Sequence, residues 1–187
     1  MSLETWLAFV AASTVLVVIP GPTVLLVVSY ALGQGFRASL PTAFGVSLAD
    51  ITAMTLSMLG IGALLAASAT LFTVLKLAGA LYLIWLGVKL WRSGGTLNAR
   101  PVTGRVGALK MMGHAWLVTV LNPKGITFFV AFLPQFLDRN GDFWNQMLIF
   151  EATFVVLAFA NTVTYAALAA RARGLFASPV AVRRLNR

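Results

Sequence analysis

Five stretches of the chain, at roughly 5–30, 41–66, 70–91, 109–135 and 144–170, are predominantly apolar over twenty residues or more. About 20 helical residues cross the hydrocarbon layer of a bilayer. Inside that layer every backbone N–H and C=O must find its partner within the protein, which a helix provides. Five such stretches in 187 residues leave little chain for anything else. The expected fold class is an all-α integral membrane protein, one transmembrane domain over 1–187 with five predicted transmembrane helices. Charged residues make up 10% of the chain, against about 25% in a soluble domain. The opening "MSLETWLAFV" has no basic region, and the apolar block that follows is too long for a signal peptide. It is expected to stay as the first span.

The same composition removes several chemistries. There is no cysteine, so thiol redox work, disulfides and thiolate-bound metals are excluded, and a single histidine, His114, rules against a histidine metal centre. No cofactor is expected. The net charge of +9 would suit nucleic acid, but the basic residues lie in short connections between apolar blocks. The partner they imply is a lipid bilayer, through cytoplasmic loops. Arg37 lies in the first connection. Lys89, Arg92, Arg100, Arg105 and Lys110 flank the third, so 92–108 is expected to be a basic cytoplasmic loop. Arg171, Arg173, Arg183, Arg184 and Arg187 follow the fifth span. The Lys/Arg excess alternates from loop to loop and places the N-terminus outside and residue 187 inside. Trp6, Trp91 and Trp144 fall near span ends, where aromatic belts lie. Gly45, Gly60, Gly62, Gly79 and Gly87 are expected to let helices approach closely.

Two spans carry breaks. The first contains Pro20-Gly21-Pro22 at its centre, and the fourth contains Asn122-Pro123-Lys124. Proline removes a backbone donor, clashes with the preceding turn and biases the residue before it away from helix. Span one runs inward and span four outward, so the breaks occupy matching places in two oppositely directed halves. That pattern points to a transporter of inverted repeats. The first repeat would cover 5–91 and the second 109–187. Three spans in the first half call for a sixth in the second, and the expectation is that this helix is missing by truncation.

Charges within spans are costly and usually face an interior path. Here they are Asp50, Lys76, Lys124 and Glu151, joined by the polar Asn122 and Asn161. Two structural salt bridges would account for the four charges. A polar site that holds a zwitterion or passes a proton would account for them too. Lys76 and Glu151 are candidates for coupling or helix pairing. Phe128, Phe129, Phe132, Tyr82 and Trp85 are expected to pack toward lipid rather than line a pocket.

The stretches "IPGPTVLLVVSYALGQGFRASLPTAFGVSLAD", "LKLAGALYLIWLGVKLWRSG" and "WLVTVLNPKGITFFVAFLPQF" resemble the LysE/RhtB family of bacterial amino-acid exporters, in its order and spacing over residues 5–187. The resemblance implies a six-span secondary exporter of the bacterial inner membrane, with an amino acid or close derivative as substrate, a proton or other coupling ion, and a homodimer. Read with the residues, it makes Pro20, Gly21, Pro22, Asp50, Asn122, Pro123 and Lys124 the substrate-binding candidates. The half-helix after Gly21-Pro22 would hold a carboxylate through its free N–H groups, the break at Asn122-Pro123 would present a second such end with Lys124 adding positive charge, and Asp50 would take the ammonium or a proton. The alternatives are an exporter of metal ions or other small solutes, an intramembrane enzyme using His114, and a structural scaffold. The in-span acids are only two and widely separated, no serine has a catalytic context, and internal charge is costly without use.

Overall fold

The computed structural model describes residues 1–92, 99–138 and 141–177, with the side chains of all but 61–67, 69, 72, 76, 90–91 and 174–177. The described chain is helical throughout its spans. Ser2 caps helix α1 (Leu3–Val18) by accepting the Thr5 N–H at 3.1 Å. The helix stops at Ile19, and α2 (Pro22–Gln34) leaves at 55° to it. Proline at the first position of α2 costs no hydrogen bond, because that N–H has no helical acceptor in any case. Gly35, at φ +87°, makes the turn into α3 (Phe36–Ala67), a backbone conformation that a side chain would strain. Helix α4 spans Ala69–Arg92.

The second half repeats the break. Helix α5 (Ala108–Val120) is followed by α6 (Pro123–Thr127), and the bend across the pair is 46°. A π turn over Phe128–Phe132 and a 3-10 turn over Leu133–Phe136 continue α6. Pro134 lacks the N–H that α-helix would require there. Helix α7 runs over Phe143–Ala177. Among the described residues Phe36–Gly60 and Phe143–Arg173 are long and apolar enough to cross a bilayer, and four spans result if each bent pair counts as one. Helix α4, where a further span is expected, has 24 residues, about 36 Å of helix.

The connections are shorter than the sequence suggests. The first, expected over "GQGFRAS", is Gly35 alone, because Ser39 and Thr42 bond back to the carbonyls of Phe36 and Ser39, at 2.8 and 2.6 Å, and continue as helix. The second, expected as "AASAT", reduces to Ser68, whose Oγ accepts the Leu71 N–H at 3.2 Å and starts α4. The end of the basic loop nearer α5 folds back on the first half, where the Val102 N–H donates to the Ser29 carbonyl at 3.1 Å. Residues 93–98 of that loop, and 178–187 where a sixth span would begin, lie outside the described residues.

Helix α3 is central and packs against both α5 and α7. Gly45 is where α3 meets α5: a Cβ there would collide with the Met112 carbonyl. Gly79 of α4 meets Ala131 of the π turn in the same way. Gly60 and Gly87 have nothing within 4 Å of an added Cβ, so close packing does not explain them, and Gly62 lies among the side chains not described. One aromatic expectation is corrected. Phe128 and Phe129 do not face lipid; they are fully buried with Phe9 and Phe150, whose own rings meet tilted with centroids 4.6 Å apart. The segment after the break packs against α1, α4 and α7, and its rings meet Phe9 and Phe154 there. Trp85, by contrast, is exposed, with the Lys89 ammonium 4.9 Å above its ring.

Candidate functional site

A helix that ends inside a bilayer leaves its last carbonyls without acceptor-to-donor pairing, at several kcal/mol each if nothing replaces the lost bonds. At the end of α1 each one is answered. The Ile19 N–H donates to Val15 O at 3.3 Å. The Lys124 ammonium donates to Leu16 O and Ile19 O, both at 2.8 Å. Asn161 Nδ2 donates to Val17 O at 2.9 Å, and the Tyr165 hydroxyl to Val18 O at 2.8 Å. All of these side chains come from the second half of the chain. A cation at the C-terminal, negative end of a helix also opposes its dipole favourably.

The start of α2 is not answered in this way. Gly21 offers no side-chain cap, and Pro22 has no N–H. The N–H groups of Thr23 and Val24 belong to the first turn, where no helical carbonyl precedes them. The second break is closed by contrast: Asn122 Oδ1 accepts the Lys124 N–H at 3.1 Å and caps the short α6. Asn122 Nδ2 reaches Thr23 Oγ1 at 3.3 Å, and that hydroxyl lies 3.1 Å from Thr119 Oγ1. The two breaks are therefore stitched together.

Between them lies a cavity of about 60 Å³. Its polar wall includes Thr23, Asp50, Thr119, Asn122, Lys124, Asn161 and Thr162, and Gly21 and Val24 complete the α2 side. Asp50 projects from the middle of α3 and is 7% exposed. Its carboxylate has no hydrogen bond or contact ion pair with any described residue. Its Coulomb partner is Lys124. Two of the three ammonium protons of Lys124 are engaged by α1, which leaves one for the cavity. The arrangement thus offers cationic and N–H donors on one side and a lone carboxylate on the other. A small ion bearing both charges is the ligand this complements.

The residues singled out in the sequence separate into two places. Gly21, Asp50, Asn122 and Lys124 line the cavity, and Pro20, Pro22 and Pro123 form the breaks that shape it. Glu151 lies elsewhere on α7, where Thr55 of α3 donates to its Oε1 at 2.7 Å. The Lys76 side chain lies outside the described residues, and with it any pairing to Glu151. His114 Nδ1 is 2.9 Å from the Tyr30 hydroxyl, with no serine in that bond. Among the described residues no three His, Asp or Glu gather as metal ligands do. Thr23, Thr119 and Thr162 escaped the sequence reading, because threonine within a span is ordinarily bonded to its own helix. Thr14, Thr52 and Thr164 are bonded in that way here.

No solved structure matches the chain. It is 35% identical over its whole length to an uncharacterized membrane protein of Vibrio cholerae, and covers 91% of that protein. It is 30% identical, again over its whole length and 91% of the relative, to the homoserine/homoserine lactone efflux protein of Salmonella typhimurium. Over 84% of its length it is 31% identical to the leucine efflux protein of an Enterobacter species, covering 75% of that protein. The family profile that matches residues 14–187 is that of the LysE type translocators, and the chain is a membrane protein that belongs to this family.

Proposed function

We propose that the chain is a secondary transporter that exports α-amino acids or close derivatives from the cytoplasm, driven by protons, across the bacterial inner membrane. The observation that carries this reading is the buried, unpartnered carboxylate of Asp50 facing the free first turn of α2 and the Lys124 ammonium across a cavity of about 60 Å³. The substrate carboxylate docks on the Thr23 and Val24 N–H groups and Lys124, and its ammonium on Asp50. Relatives named for efflux of homoserine and leucine support the substrate class.

The mechanism we propose is the rocking of two inverted repeats, 5–91 and 109–187, around this site. Several spacings support it. Pro22 and Pro123 stand 101 residues apart, and so do Asp50 and Glu151, and Thr52 and Thr153. Both threonines receive an indole N–H from the broken helix of the other half, Thr52 from Trp116 at 3.3 Å and Thr153 from Trp6 at 3.0 Å. Glu151 is in this reading the counterpart of Asp50 and the candidate for coupling.

The test is efflux of labelled amino acids from proteoliposomes bearing wild type, Asp50→Asn or Lys124→Ala at matched protein content. Each variant removes a charge-assisted hydrogen bond to the substrate, so efflux falls about ten- to a hundredfold. Full transport by both would sink the site. An imposed pH gradient speeds wild-type efflux, and no response to it would remove proton coupling.

A further inference from the structure

The carbonyls that end α1 have partners of two kinds. Asn161 and Tyr165 answer Val17 O and Val18 O with single neutral donors. Leu16 O and Ile19 O instead converge on one cationic atom, Lys124 Nζ, at 2.8 Å each. Carbonyls at the C-terminal end of a broken helix are where transporters built from such helices bind a coupling cation. The helix dipole favours positive charge there. In this chain that place is filled by one of its own side chains.

The surroundings are those of a cation site. Both oxygens belong to the backbone, so the helix end fixes their spacing. A further oxygen source, the Asp50 carboxylate, shares the cavity wall with Lys124, is 7% exposed and has no bonded partner among the described residues. One carboxylate balances one positive charge. A centre 2.8 Å from its oxygens is too far for Mg²⁺ or Ca²⁺, which bind at about 2.0–2.6 Å. The fit is to a monovalent cation of ammonium or potassium size. Lys124 comes to it from the second break across Gly21, where its Cε and Nζ pass 3.8 Å from the place of a Cβ. The second break has no counterpart to this arrangement. There the Leu121 and Asn122 N–H groups answer the Leu117 and Thr119 carbonyls, and Thr23, 101 residues before Lys124, carries a hydroxyl in place of an ammonium.

We propose that the end of α1 is a monovalent-cation site whose ion the chain itself supplies, as the Lys124 ammonium. A tethered cation cannot cross the membrane with the cargo. It keeps the carbonyls paired and one positive charge beside the cavity, so neither sodium nor potassium takes part in transport by this chain. Removing the ammonium leaves a site that a free cation fills. The site stands on this geometry, its bearing on export rests on the exporter reading, and the two are measured separately.

Wild type, Lys124→Ala and Lys124→Met are purified and reconstituted in the chloride salt of N-methylglucamine, sodium, potassium or ammonium. The salt is equal on both sides, and labelled leucine and homoserine run down their own gradients. Wild-type efflux is the same in every salt. Lys124→Ala is slow in N-methylglucamine, and potassium or ammonium raises its efflux about tenfold or more, the worth of one charge-assisted hydrogen bond. The same two ions raise its unfolding midpoint. Lys124→Met stays slow in every salt, because its side chain fills the space without charge. A wild type that needs sodium or potassium overturns the proposal. So does a Lys124→Ala protein whose efflux and unfolding midpoint ignore the salt, or one that is recovered folded in none of them, since a replaceable cation restores the end of α1. An equal response in Lys124→Met assigns the effect to ionic strength and overturns it too. Wild type that moves neither amino acid in any salt overturns the exporter reading, and the unfolding midpoints then decide the site by themselves.

Discussion

At the residue scale, the polar side chains near the breaks divide between bonds that hold the fold and groups left facing the cavity. Lys124 does both: it stands at the end of α1 as a replacement for lost helix bonds and presents its remaining proton to the cavity. Asn161 bonds Val17 O, and its truncation would leave that carbonyl unpartnered in a region without bulk water. Asn161→Ala is therefore expected to destabilise the detergent-solubilised protein by about 1–3 kcal/mol, read as a lower unfolding midpoint. Tyr165→Phe removes an equivalent bond at Val18 O, but from a more exposed position. Its effect should be smaller, and equal losses in the two variants would contradict this account. Of the groups that build this junction, the prolines, Asp50 and Lys124 were legible in the sequence because they are costly in a span. The threonines were not, since a hydroxyl within a helix usually bonds to its own backbone, and only the fold shows which ones turn away.

At the scale of elements, the breaks change what the apolar text means. Read as plain apolar text, Phe128 and Phe129 are expected to face lipid. The Asn122-Pro123 break and the π turn after it insert that segment among α1, α4 and α7 instead, and the rings become core. Helix identity and the two interruptions could be read from proline and hydropathy alone. The direction taken after each interruption could not, because it depends on which neighbour receives the freed backbone groups. Glycine shows the same limit. Gly45 and Gly60 read alike in sequence, yet only Gly45 is pressed against another helix backbone, at Met112. Gly45→Ala must push α5 from α3 and is expected to cost about 1–3 kcal/mol, as overpacking does. Gly60→Ala meets nothing and should be neutral or stabilising by about 0.5–1 kcal/mol, from helix propensity alone. Thermal unfolding of the purified variants checks the contrast, and a Gly60→Ala loss as large as that of Gly45→Ala would refute it.

At the scale of the whole molecule, the interior and the charge pattern ask for opposite surroundings, and a bilayer reconciles them. Leu56, Leu81 and Val156 are each more than three-fifths exposed, a surface that water would disfavour and lipid tails accept. Arg37, Lys89, Arg92, Lys110, Arg171 and Arg173 sit in the end turns of their helices. The excess of Lys and Arg around 92–110 and after α7, set against Asp138 and Asp142 between the fourth and fifth predicted spans, is expected to orient the chain with the basic side facing the cytoplasm. The absence of native cysteine makes this directly measurable, because any thiol introduced is the only one present. Arg100→Cys and Asp142→Cys change exposed or half-exposed connections between spans, away from the cavity. A membrane-impermeant maleimide applied to intact spheroplasts is expected to label Asp142→Cys and to label Arg100→Cys only after the membrane is opened. The reversed pattern would turn the molecule over. Labelling of both from outside would place an even number of crossings between them, and the inverted halves, which require the two breaks to face the membrane from opposite directions, would fall with it.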